Sequence, residues 1–87
     1  MFRRFWFEFA VDSPEDLPPG VRMGCGVTAP TMEEAMVLIQ QRVFGGTSVP
    51  QVRKIISDID ISTLDRGHVR PNMGNPVIPG VWFPLGY

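Results

Sequence analysis

The chain has little of the chemistry that usually announces a function. Among its 87 residues there is one cysteine, one histidine and one lysine. A lone cysteine excludes an internal disulfide and a multi-cysteine metal centre. Nine acidic residues against eight basic ones leave a formal net charge of −1. That balance supplies no long-range attraction to nucleic acid or to an anionic membrane. No stretch approaches the apolar length of a membrane span. The start, Met1 to Trp6, carries Arg3 and Arg4 but lacks the apolar core and cleavage site of a signal peptide. A soluble, cytoplasmic protein is expected, with neither nucleic acid nor membrane as partner and with no cofactor.

Aromatic residues are present in number, and they are placed unevenly. Phe2, Phe5, Trp6, Phe7 and Phe9 crowd the beginning, and Trp82, Phe83 and Tyr87 the end; only Phe44 lies between. Aromatic rings bury the most apolar area per residue, so the two ends are expected to meet in one core. A chain of this size buries only roughly 60–65% of its unfolded surface, which makes that closure important. A single domain is expected over residues 1–87, with a core in 1–61 and an irregular, docked tail in 62–87.

From Arg3 to Val11, Phe5, Phe7, Phe9 and Val11 alternate with Arg4, Trp6, Glu8 and Ala10, the period of a strand. Residues 12–20, DSPEDLPPG, read as a loop. Val21 to Ala29 alternates again, with Val21, Met23, Cys25, Val27 and Ala29 on the core side and Gly24 and Gly26 opposite. Two alternate glycines make a bare floor on a strand, and such floors are covered by an aromatic or another backbone. Trp6 or Trp82 is the natural cover.

Thr31 and Glu34 form a capping box, and Met32, Ala35, Met36, Ile39 and Val43 make one apolar helical stripe, which leaves Val37 off it. Gly45-Gly46 supplies the stop. Residues 29–41, with Pro-Thr-Met-Glu-Glu-Ala after a strand, resemble the ββα segment of HicB-type antitoxins, where such a capped helix follows a hairpin. The tail from His68 onward does not fit that family, and no function or residue role is carried over.

Val52 to Ile61 reads as a third strand, with Ile55, Ser57, Ile59 and Ile61 on one face and Lys54, Ile56, Asp58 and Asp60 on the other. Residues 62–65 could form a capped turn. Pro71, Pro76, Pro79 and Pro84 exclude an internal helix or central strand beyond His68. The expected fold is α+β: a small antiparallel sheet in β-β-α-β order 2-1-3, one helix on one face, and an ordered Pro/Gly/aromatic-rich tail. A β-grasp-like arrangement, with the tail strand paired to the first, is the runner-up.

Three readings of function follow. The first is a small non-catalytic interaction module that binds another protein or itself, supported by a thin core, an open strand edge and Val37. The second is a small-ligand or anion-binding domain using Arg66, His68, Arg70, Asn72 and a tryptophan, Trp82 or Trp6. Arg suits carboxylate and phosphate because its planar fork binds both bidentately. The third is an enzyme using Asp58 and Asp60, about 7 Å apart on one strand face, with His68. Cys25 with His68 is the single thiol–imidazole combination, and strand parity assigns that thiol to the core.

Overall fold

The computed structural model describes residues 2–10, 21–46, 49–64, 66, 67 and 69–84, with residue 22 described by its backbone alone. Val11, the 12–20 loop, Asp65, His68 and Tyr87 lie outside the described residues. Four antiparallel strands form one sheet: β1 (Arg3–Phe9), β2 (Cys25–Ala29), β3 (Val52–Ser57) and β4 (Gly80–Phe83). Their spatial order is β3-β1-β2-β4.

The most aromatic strand, β1, lies between β2 and β3, pairing Phe5 with Val27 on one side and with Ser57 on the other. Both of its edges are therefore occupied, and β4 pairs with β2 instead. The β-grasp-like pairing of tail to first strand is not formed for that reason. Because β2 and β3 are each antiparallel to β1, the connection between them passes through α1 and spans the strand that separates them.

Helix α1 (Met32–Leu38) begins as its sequence requires, with Thr31 Oγ1 accepting from the Glu34 backbone N–H at 3.2 Å. It continues as a π-turn, Ile39–Val43, in which Phe44 N–H donates to Ile39 O at 3.1 Å. The wider turn lets Ile39, Val43 and Phe44 all reach the core. Gly45 and Gly46, both at positive φ, end it.

Side-chain parity on β1 divides the molecule into two layers. Phe5 and Phe7 join Cys25, Val27, Ala29, Ala35, Ile39 and Val43 beneath the helix. Trp6 turns to the opposite face, where Trp82, Phe83, Ile59, Leu64 and Val69 form a second cluster. The tail is thus the lid of that second face. Thr28 Oγ1 donates to Pro76 O at 2.6 Å and Gly74 N–H to Trp82 O at 2.6 Å, which pins the irregular backbone.

Three local departures from simple alternation shape these layers. A 3-10 turn at Val21–Met23 precedes β2, so Met23 is exposed although Val21 and Cys25 are buried. In β4, Val81 faces Val27 and Phe83 faces Gly26, so Trp82 is an extra, bulged residue. The bulge turns two consecutive rings toward the second face. Finally, β3 stops at Ser57 because Asp58 adopts φ 56. Ile59 consequently packs with Ile56 rather than with Ile55, and Ile55 is exposed. The shared strand face expected for Asp58 and Asp60 does not exist.

Candidate functional site

Cys25, Asp58 and Asp60 each have a structural setting. Cys25 is fully buried beneath the helix, and that burial pushes its thiol from 9.0 up to about 12. A thiol so placed is a packing group rather than a nucleophile. Native protein at pH 8 is expected to resist alkylation, and unfolded protein to react fully. The pH consequence has a definite sign. The unfolded thiol ionises near 9 and the folded one near 12, so this group's stabilising contribution is full below pH 9 and falls as pH rises toward 12. The loss attributable to it is about 1.4 kcal/mol per pH unit in that window. A Cys25→Ala variant, compared with wild type by urea unfolding across pH 8–11, should lack that slope; equal slopes would count against the buried assignment.

Asp58 and Asp60 are exposed and serve the backbone that follows β3. Arg3 reaches Asp58 at 2.6 Å, while its guanidinium also lies 5.7 Å from the Phe5 ring centre. The Arg3 hydrogen bond holds the Asp58 carboxyl below its ordinary value. Asp60 Oδ1 accepts from the Ser62 backbone N–H at 3.0 Å and from its hydroxyl at 2.7 Å, capping the 3-10 turn Ile61–Thr63. Those hydrogen bonds likewise lower its carboxyl. Glu8 accepts from Trp6 Nε1 at 3.2 Å and Arg53 at 2.7 Å. Burial raises its carboxyl, but the two hydrogen bonds outweigh that and leave it low. Among the described residues no group of three or more His, Cys, Asp and Glu side chains is placed to hold a metal ion.

The residues expected to bind a ligand separate into two places. Trp6 and Trp82 are each only 3% exposed, with ring centres 6.1 Å apart, and they face one another rather than solvent. Arg66 and Arg70 are exposed and share one open recess with Pro71. Asn72, on the same 3-10 turn as Arg70, is also exposed, and its N–H donates to Val69 O at 3.0 Å. His68 lies outside the described residues.

A second surface was not marked as a site by the sequence. Phe2 is 55% exposed, Val37 48%, Val77 73% and Ile78 61%. Phe2 precedes Arg3, which pairs with Ala29, and Ile78 closely precedes Gly80, which pairs with Thr28, so strand register places both at one end of the sheet. Two clefts flank Thr28 there. One, about 300 Å³, is lined by Ala29, Pro30, Glu34, Val37, Leu38 and Pro79. The other, about 290 Å³, is lined by Phe2, Arg4, Pro76 and Val77.

Within the tail, which is expected to dock on the core, Val77 and Ile78 are turned outward by a turn. Ile78 N–H donates to Asn75 O at 3.2 Å and Val77 N–H to Asn75 Oδ1 at 2.9 Å. The signal was available in the Asn75-Pro76 pair, a turn initiator.

Compared with protein families, with curated proteins and with solved structures, the chain matches none. The likeness of residues 29–41 to an antitoxin segment therefore carries no function. Among the described residues no helix is long and apolar enough to cross a membrane.

Proposed function

We propose that this protein is a small non-catalytic interaction module that seats a segment of a partner protein across the apolar end of its sheet. The carrying observation is a pair of clefts that share Thr28, one lined by exposed Val37 and the other by exposed Phe2 and Val77, with exposed Ile78 next to Val77 in the chain. Exposed apolar side chains scattered singly need no explanation, but a contiguous group marks a contact surface. Each cleft suits one or two apolar side chains. Glu34 at one and Arg4 at the other give the surface opposite charges at its two ends, so a segment with the complementary order of charge fits in one direction.

The sheet edges are poorer candidates for strand addition. β4 is four residues long and lies between Pro79 and Pro84, and β3 carries Arg53 and Lys54. Short strands, proline and charge are the usual protections of an edge.

The test is a photo-reactive amino acid placed at Val77 in the native cell, with Gln51 as control. Gln51 is exposed and sits beside Ala10 at the opposite end of the sheet, where Ala10 N–H meets its carbonyl at 2.8 Å. Adducts of defined mass from position 77 and few from 51 are expected. Adducts of twice the chain mass would identify a second copy as the occupant. Equal labelling from both positions, or none, would contradict the assignment.

A further inference from the structure

We infer that Arg66 and Arg70 form a binding site for a phosphate group, independent of the apolar surface. The recess they share with Pro71 has a volume of about 550 Å³ and is open to solvent. Among the described residues neither arginine has a carboxylate within ion-pair distance, in contrast to Arg3 with Asp58 and Arg53 with Glu8. Two like charges held at one recess repel unless an anion lies between them. A dianion matches them better than a carboxylate, and a phosphate carries roughly −1.5 to −2 at neutral pH with oxygens suited to the guanidinium fork.

The placement is built by the fold. Val69, between the two arginines in sequence, is fully buried and belongs to the second core cluster with Trp82. Its carbonyl accepts from Asn72 N–H, closing the 3-10 turn that carries Arg70. Pro71 further limits that turn. Arg70 therefore projects from an anchored backbone, which reduces the ordering cost of binding. No acidic residue occurs from residue 68 onward, so the sequence around Arg70 and Pro71 is free of carboxylate side chains on its C-terminal side.

Titration of the full chain with inorganic phosphate, followed by amide NMR at constant ionic strength, tests the site. Saturable shifts are expected at residues 66, 67, 69, 70 and 72, with chloride producing none. An Arg66→Gln/Arg70→Gln double variant should bind at least roughly tenfold more weakly, losing two charge-assisted contacts. Arg42→Gln, at an exposed arginine elsewhere, should leave binding unchanged. Because all three arginines are exposed, the variants should unfold at the wild-type temperature. Tighter binding of phenyl phosphate would identify a phosphate ester as the ligand, and equal binding the free ion. Absent shifts, equal shifts with chloride, or undiminished binding by the double variant would overturn the site. None of these results depends on cross-linking at Val77, so the two surfaces stand or fall separately.

Discussion

Trp82→Ala is expected to cost roughly 3–5 kcal/mol of folding stability, the range for removing a buried indole from a core. In a domain of this size total stability is about 5–15 kcal/mol, so urea unfolding should shift to a much lower midpoint or lose its native baseline. The ring stacks 6.1 Å from Trp6, beside Phe83, whose ring centre is 5.4 Å from that of Trp6. No other described layer covers this face of the sheet. Trp82→Phe should be far milder. Among the described residues Trp82 Nε1, which is buried, has no hydrogen-bond partner, and an unpaired buried donor costs about 1–3 kcal/mol. Phenylalanine removes that penalty while keeping much of the packing. A Trp82→Ala protein as stable as wild type would mean that the tail is a binding surface and not a lid.

Gly26→Ala is expected to be nearly as damaging. A methyl group there would lie 2.6 Å from Cε3 of Trp82, with two further ring atoms closer still. The obstacle is a rigid indole held by its own neighbours, not the end of a flexible chain. Overpacking of this kind costs roughly 1–3 kcal/mol, and occasionally more; the upper end applies here. Gly24 plays the same part for Trp6, whose Cζ2 would be 2.8 Å from a methyl group, and its φ of 131° adds backbone strain. The two glycines are therefore a paired floor, one beneath each tryptophan.

Much of this fold is legible in the sequence because two residue patterns agree. Alternation along β1 separates Phe5 and Phe7 from Trp6, and the glycines at 24 and 26 require covering rings on Trp6's side. The Thr31–Glu34 cap fixes the helix start by a local hydrogen bond. What alternation cannot express is an added residue. The bulge at Trp82, the π-turn at 39–43 and the left-handed Asp58 each shift side chains by one position. The last of these separates Asp58 and Asp60 and dissolves the carboxylate pair of the enzyme reading.

Of the candidate site, the arginines were legible by type and spacing, and the structure brings Arg66 and Arg70 to one recess. Trp6 and Trp82 were assigned both to a lid and to a ligand surface, and only burial distinguishes the two. At the apolar end only Val37, off the helical stripe, is legible as exposed; Val77 and Ile78 are not, because a hydrophobic residue in a turn has the same composition as one in a core. Their exposure depends on the Asn75–Ile78 hydrogen bonds, which a period-based reading does not register.

The tail is a structural layer, closed by Trp82 against Gly26, and the sheet end and the arginine recess are the surfaces proposed for binding. A double-mutant cycle measures that contact most directly. Removing the indole removes the three atoms nearest a methyl group at position 26, so Gly26→Ala should cost much less in the Trp82→Ala background. To keep the double variant folded, the cycle is run in a stabilising osmolyte, which favours burial. The two single costs are expected to exceed the double cost by roughly 2 kcal/mol or more, within the range of residues in direct contact. Costs that add to within about 0.5 kcal/mol, as for distant sites, would contradict it.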